Sequence, residues 1–432
     1  MPNRSDSHIN HPRSWYAASA HGHHPRSILE ESVDADVCVI GAGYTGLSSA
    51  LHLAERGFRV VVLEASRIGF GASGRNGGQI VHSFSRDMDF IERHYGPLKA
   101  KAMGGMAFEG GKIIRRIISQ YAIDCDLING GIFAACNSRQ MHELEEKQAL
   151  WERYGHQQLQ LLDHQEITGY VGSNRYSGAL LDHSGGHIHP LNLALGEAAA
   201  IEKLGGVIYE GSAVTRIDDG SPVTVHTAKG QVKARFVVVA GNAYLTGLLP
   251  EQQQKSMPCG TQIITTEPLS EEVQKRLLPH NHCVEDCNYL LDYYRLTSDG
   301  RLLYGGGVNY GAREPEEIEK LIRPKMLTTF PWLANVRIDY SWTGNFLLTL
   351  MRLPQFGRVG SHIYYAQGYS GHGVTSSHLA GNLIADAVQG HAERFDVMAT
   401  LPQHPFPGGR LLRVPYTAMA AVWYDMRDRL GL

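Results

Sequence analysis

Val37-Cys38-Val39-Ile40-Gly41-Ala42-Gly43-Tyr44-Thr45-Gly46-Leu47-Ser48-Ser49-Ala50-Leu51-His52-Leu53-Ala54 is the stretch on which the fold turns. Val37 to Ile40 reads as a buried strand, and the segment from Leu47 has the spacing of an amphipathic helix. Gly57 then stands where a C-terminal cap belongs, and a second strand, Arg59-Val60-Val61-Val62-Leu63, ends at Glu64. In a chain this rich in glycine, a bare G-x-G-x-x-G is expected by accident roughly 0.6 times. Requiring the preceding strand and the acid lowers that to roughly 0.002. Each part has a physical task. Gly41 permits the tight turn, Gly43 lets backbone approach a pyrophosphate, and Gly46 lets the helix lie close on the sheet. Thr45 sits in the first helical turn, where unpaired N–H groups and the dipole favour an anion. Glu64 is placed to accept hydrogen bonds from the ribose hydroxyls of an adenosine.

Working outward, composition bounds the rest. Hydrophobic residues make up 43 % of the 432 and charged residues 19 %, which excludes a disordered tail or a fibrous repeat. Forty Lys+Arg against 43 Asp+Glu give a net charge of −3, so no broad basic field exists for nucleic acid. Apolar runs such as Phe236-Val237-Val238-Val239-Ala240 fall far short of the ~20 residues of a membrane span. Residues 1–33 are polar, without the apolar core of a signal peptide, and read as an N-terminal arm. Six scattered cysteines do not make a disulfide framework, so the cytoplasm is the expected compartment.

A βαβ unit alone does not separate the dinucleotides, but later segments do. Arg67-Ile68-Gly69-Phe70-Gly71-Ala72-Ser73-Gly74-Arg75-Asn76-Gly77-Gly78-Gln79-Ile80 has too many glycines for a helix or an ordinary strand. Such a stretch suits a ligand extending past the adenosine, with backbone against a large flat ring. Its candidate contacts are Arg67, Ser73, Asn76, Gly77, Gly78 and Gln79. Pro190 starts a helix to about Leu204, and short strands through Val214 lead into Phe236–Ala240, whose tip at Gly241 passes near the cofactor. Near the C-terminus, Tyr364 to Val374 forms another strand–glycine–helix start, followed by helix to about Val388 and Gly390. Gly371, His372, Gly373 and Val374 there offer N–H groups to a second negative centre, for a flavin the N1/C2=O edge. The cofactor expected is therefore FAD.

Together these segments resemble the FAD-dependent amine and amino-acid oxidoreductases that include D-amino-acid oxidase, glycine oxidase and sarcosine oxidase. Ser14 to Ala20, Gly71 to Gln79 and Leu291-Asp292-Tyr293-Tyr294-Arg295 look most like the γ-glutamylputrescine oxidase branch. The resemblance implies FAD contacts at Gly41, Gly43, Gly46, Glu64, Ser73, Gly77, Gln79, Val214, Gly371 and Gly373. It also implies oxidation of a primary amine on a γ-glutamylated polyamine, with hydride passing to the flavin and oxygen as acceptor. A dehydrogenase passing electrons to a quinone shares the fold, and a non-catalytic dinucleotide-binding module is the reading from another class. The chain departs from the family after Trp342-Thr343-Gly344. There Thr349-Leu350-Met351 lacks the usual acid before Pro354-Gln355-Phe356-Gly357. Some relatives tether flavin through a cysteine in the C-terminal third; none follows Cys287 here, so FAD is expected without a covalent bond. Asp292 to Val308 also lacks the lysine with which sarcosine oxidases activate oxygen.

The fold expected is α/β plus antiparallel β: a two-domain, Rossmann-like FAD-binding fold with an interleaved antiparallel-sheet substrate domain. The FAD-binding domain takes 34–95, 186–250 and 355–395. The substrate domain takes 96–185 and 251–354, and 396–432 form an extension. Within the substrate domain, helices are expected at about 98–121 and 139–153, with a hairpin around Asn129-Gly130-Gly131. Strands are expected at Thr261–Thr266, Tyr289–Leu296, Leu302–Gly306 and Arg337–Trp342. Tyr289, Tyr293, Tyr304 and Trp342 either line an amine site or fill a sheet–helix core. Arg295 is the candidate carboxylate partner, with a surface ion pair as the alternative. His372 and Tyr293 are the candidate catalytic groups; a structural histidine at a helix start is the plainer reading of His372. His280, His282, Cys283 and Cys287 lack the paired spacing of a structural zinc site, so no metal is expected. His21-Gly22-His23-His24 reads as solvated arm. Tyr416 to Tyr424, ending Arg427-Asp428-Arg429, reads as a short apolar helix packed on the body, or docking to a membrane surface or quinone.

Overall fold

The structure is a computed structural model that describes residues 10–245, 247–311 and 314–430. Its first sheet has eight strands. Gln355–Val359, Ile363–Gln367, Gln231–Val239, Ser32–Ile40, Val60–Leu63 and Val207–Tyr209 lie side by side in that order. Four of the five pairings along this row are parallel, and Val37 to Ile40 lies in register with Val60 to Leu63 on one side and Phe236 to Val239 on the other. Such strands are covered on both faces, which is why they read as unbroken apolar runs. Gln231–Val239 changes neighbour along one edge. Its first half pairs with Val223–Thr227 and its end with Ile363–Gln367.

The helices Tyr44–Glu55 and Gly373–Gln389 both follow tips of this sheet and cross closely, since a Cβ on Gly381 would lie 2.4 Å from Ser48 Oγ. Both are buried nearly all round. The helix Pro190–Lys203 joins them: Tyr44 Oη donates to Pro190 O at 2.8 Å, and His378 Nε2 bonds Glu197 Oε1 at 2.8 Å.

The second sheet has nine strands, in the order Ile338–Thr349, Ser256–Thr266, Leu302–Tyr310, Tyr293–Leu296, Cys283–Asp286, Ile128–Ala135, Gly178–His187 and Gln79–Ile80, with Leu159–Leu162 on the side. All its pairings are antiparallel except Cys283–Asp286 with Ile128–Ala135. The helix Ser138–Arg153 packs on it, whereas Glu109–Tyr121 packs on Gly373–Gln389. No helix among the described residues is long and apolar enough to cross a membrane.

Several local expectations are corrected. Asn129 to Gly131 form no hairpin but a bulge inside Ile128–Ala135, with Gly130 at φ +96°. Tyr289 lies on a turn before its strand, which begins at Tyr293. The expected 98–121 helix is broken at Phe108. Residues 10–33 are not a free arm, because Trp15, Tyr16 and Leu29 are buried, although His21 to His24 are exposed; the arm's first nine residues lie outside the described ones. The C-terminal helix is not short. It runs Gly409–Leu430 and leaves Leu412, Tyr416, Met419, Val422, Trp423 and Met426 exposed instead of packing them on the body. Its expected charged end, Arg427-Asp428-Arg429, lies outside the described side chains.

Candidate functional site

Between the sheets lies a cavity of about 1260 Å³, larger than the ~300–1,000 Å³ of an ordinary small-ligand pocket. Four separated stretches of the first sheet's side wall it. Gly41, Gly43 and Thr45 come from the first turn, and Glu64 from the second strand's tip. Ser73, Asn76, Gly77 and Gln79 come from the glycine-rich run. Val214 and Gly241 follow, and Gly371 to Val374 close the wall. From the second sheet come Thr261, Glu285, Tyr289, Tyr293 and Asn345.

The cradle fits a dinucleotide by its own geometry. Glu64 is held in place by Ala42 N at 2.7 Å on one oxygen and Ser66 N at 2.8 Å on the other, with the carboxylate at the cavity wall. Burial pushes its pKa up against those amides. Ser73 Oγ accepts from Tyr44 N at 2.9 Å and ties the glycine-rich run to the start of the helix. Gly371 has φ +105°, and a Cβ there would meet nothing within 4 Å, so bare backbone faces open cavity.

Three expected cofactor contacts lie off the wall. A Cβ on Gly46 would stand 1.8 Å from Gly41 O, so this glycine seats the helix on the turn. Arg67 is spent on the buried Glu210 at 2.8 Å. Gly78, at φ +77°, is where Ile188 O and the Arg295 guanidinium close in.

On the substrate side Tyr289, Tyr293 and His372 line the cavity, and three other residues do not. Tyr293 lies opposite Gly305 in the ladder, and its ring fills the space a Cβ there would take. Tyr304 pairs with Tyr294 on the other face, stacks on it at 5.4 Å and bonds Thr329, so it belongs to the core. Trp342 is buried against Tyr16 and donates to Arg75 O at 2.9 Å. Arg295 is 1 % exposed. It donates to Gly77 O, Leu296 O, Ile188 O and Tyr16 Oη at 2.8–3.0 Å. It clamps the loop behind the site and cannot receive a substrate carboxylate.

The structure adds charged groups that sequence reading passed over. Glu285 faces the cavity from Cys283–Asp286, whose alternation turns Val284 into the core and Asp286 toward Arg175. Burial, reinforced by Asp286 and opposed by Lys147, pushes its pKa up to about 7. Its signal in the sequence is an acid that alternates with the apolar Val284 on a short strand. Arg352 lines the cavity from the turn after Ile338–Thr349 and donates to Tyr289 Oη at 2.7 Å. It directly follows the Met351 that replaces the family's acid. Arg75, over the Phe70 ring at 4.5 Å, and His11 also reach the wall. Burial lowers His372 to about 4, so its ring is neutral near pH 7, and burial keeps the Tyr293 phenol protonated.

His280, His282, Cys283 and Cys287 do not converge. The two imidazoles stack on Tyr170, while Cys283 Sγ points at Gly186 O. Among the described residues one trio could ligate a metal ion, the buried His82, His156 and Asp182. There His156 Nε2 already bonds Asp182 Oδ1 at 3.1 Å, and Ser184 donates twice to the same oxygen.

Comparison with known proteins gives the chain a family and a fold. Residues 36–387 match the family model described as FAD dependent oxidoreductase. The chain is 64 % identical over 423 residues to the gamma-glutamylputrescine oxidoreductase of Escherichia coli K12, covering 98 % of this chain and 99 % of that one. It is 40 % identical over 426 residues to a probable oxidoreductase OrdL of Haemophilus influenzae, covering 97 % and 98 %. Among solved structures, glycine oxidase from Geobacillus kaustophilus superposes with a TM-score of 0.72 at 23 % identity, covering 86 % of this chain and 99 % of that one.

Proposed function

The chain belongs to the FAD dependent oxidoreductase family, and from that premise we propose that it oxidises the terminal primary amine of γ-glutamylputrescine or a close γ-glutamylated diamine. The observation that carries this reading is the 64 % identity running the whole length of a relative named for that substrate. The cavity supports it, with a carboxylate and two tyrosines opposite the dinucleotide cradle. FAD, when bound, supplies the two-electron acceptor that takes hydride from the amine-bearing carbon.

The protein's part is to bind and orient. The first turn of Tyr44–Glu55 receives the pyrophosphate and Glu64 the ribose hydroxyls. Gly371 to Val374, at the start of Gly373–Gln389, would offer N–H groups to the negative charge that the ring system gains on reduction. The FAD is held non-covalently, a reading supported by the absence of all six cysteines from the cavity wall. Acid precipitation tests this: the flavin is expected in the supernatant, and flavin left in the pellet contradicts it.

Tyr293 and the neutral His372, both on the cavity wall, are the groups that would orient the amine. Overall, amine, water and O₂ become aldehyde, ammonia and hydrogen peroxide, with the imine hydrolysing to aldehyde. The proposed compartment is the cytoplasm, supported by six cysteines that form no disulfide. One observation favours a second reading of the acceptor. The exposed apolar stripe on Gly409–Leu430 suits docking at a lipid surface and transfer to a quinone. Peroxide measured against oxygen consumed, with γ-glutamylputrescine as substrate, decides between them. A one-to-one yield is expected, and an oxygen-silent enzyme that reduces a soluble quinone contradicts it.

A further inference from the structure

Two of the ionisable side chains that line the cavity, Glu285 and Arg352, lack a counter-charge among the described residues. Glu285 has no hydrogen-bond or ion-pair partner among the described residues, although it is half-buried on the cavity wall. The cation acting on it, Lys147, is itself paired with Asp87 at 3.5 Å. Arg352 has no carboxylate within ion-pairing distance among the described residues, and of its five N–H donors one is used, on Tyr289 Oη. A half-buried ion left without a counter-charge is costly unless a ligand supplies one.

The two reach the cavity from different elements: three strands of the second sheet separate Cys283–Asp286, which carries Glu285, from Ile338–Thr349, whose following turn carries Arg352. Glu285 shares its strand-to-strand register with Tyr293, whose ring lies against Gly77 of the cofactor cradle. Arg352 donates to the turn residue Tyr289 instead.

We propose that the cavity is bipolar and selects a primary amine whose far end carries a carboxylate, with Glu285 receiving the ammonium near the cofactor cradle and Arg352 receiving the carboxylate. This rests on the amine-oxidation reading and adds its specificity. A planar guanidinium matches a carboxylate by two parallel hydrogen bonds. The same group repels the second ammonium of a simple diamine, so selection comes from rejection as well as attraction.

The experiment compares three amines that differ only at the far end: N-succinylputrescine (carboxylate), N-acetylputrescine (neutral) and putrescine (ammonium). Rates of anaerobic flavin reduction and kcat/KM are measured for holoenzyme, Arg352→Gln, Arg352→Glu and Glu285→Gln. In the native enzyme kcat/KM falls roughly 10- to 100-fold from the succinyl to the acetyl compound, the worth of a charged hydrogen-bonded pair, and falls again to putrescine. Arg352→Gln brings the succinyl-to-acetyl ratio close to one, and Arg352→Glu reverses the order in favour of putrescine. Glu285→Gln slows all three by a similar factor and keeps their order. A native preference that survives in both Arg352 variants overturns the assignment of that pole. Unchanged reduction rates in Glu285→Gln overturn the other. Should no amine reduce the native flavin, the amine reading itself fails, an outcome separate from both. Flavin absorbance and melting temperature of each variant report whether it folded. If Arg352→Gln does not, Arg352→Lys retains part of the preference under the proposal and all or none of it otherwise.

Discussion

Glu285 shows what one residue's surroundings do to its chemistry. Its carboxyl feels Lys147 from Ser138–Arg153 and Asp286 on its own strand, acts on Cys287 just beyond, and has Tyr293 opposite in the ladder. Burial keeps the Cys287 thiol and the Tyr293 phenol protonated, so Lys147 and Asp286 are the charges that matter. With its pKa raised to about 7, the group ionises as pH climbs through that value, and only the ionised form attracts an ammonium. A free alkyl amine loses its own proton near pH ~10.4, and only the neutral amine releases hydride readily. The log of kcat/KM therefore rises in two steps, near 7 and again toward alkaline pH. In Glu285→Gln the lower step disappears and the upper one stays; a flat profile in the native enzyme contradicts both assignments.

Arg295 gives the opposite case. Four acceptors, three of them backbone carbonyls, depend on its guanidinium. Arg295→Met is expected to cost about 3 kcal/mol of stability, read as a lower melting temperature. The ratio of rates between carboxylate-bearing and neutral amines should not change. A changed ratio with an unchanged melting temperature contradicts the clamp. Nothing in Tyr293-Tyr294-Arg295 taken alone separates these fates. Tyr293 has room because Gly305 lies opposite, while Tyr294 meets Tyr304 on the far face, and that pairing is a property of two strands together.

At the scale of elements, the dinucleotide cradle was legible because its grammar is local. A strand, a glycine turn, a helix and an acid follow one another within some thirty residues, and each constraint acts between near neighbours. Gly46 carries the tightest of them, with a backbone oxygen where its Cβ would go. Gly46→Ala is expected to cost about 3 kcal/mol and to yield protein poor in flavin. Gly390 caps Gly373–Gln389 in the left-handed region at φ +107° with open space around it. Gly390→Ala is expected to cost about 1 kcal/mol and to leave flavin content intact. Equal flavin loss in both contradicts the assigned role of Gly46. Element ends outside the cradle were less legible. The bulge at Gly130 and the turn at Tyr289 depend on which strand lies alongside, and the C-terminal helix keeps an exposed apolar face that sequence alone reads as packed.

For the whole molecule, the decisive feature is that four stretches scattered over more than three hundred residues wall one cavity with a second sheet opposite. A ligand held by all of them stabilises the folded chain by mass action, by about 4 kcal/mol at a thousand times its dissociation constant. Stripping FAD is therefore expected to lower the melting temperature, and graded re-addition to restore it in step with free FAD. A melting temperature indifferent to FAD contradicts a shared cradle. Glu285 and Arg352 line the same cavity, so under the proposed function cofactor and amine share one space. Anaerobic titration of the purified holoenzyme with γ-glutamylputrescine tests this most directly. The visible flavin absorbance is expected to bleach with one equivalent of amine per flavin. A spectrum left unchanged by this amine and by every other primary amine tried would contradict the account.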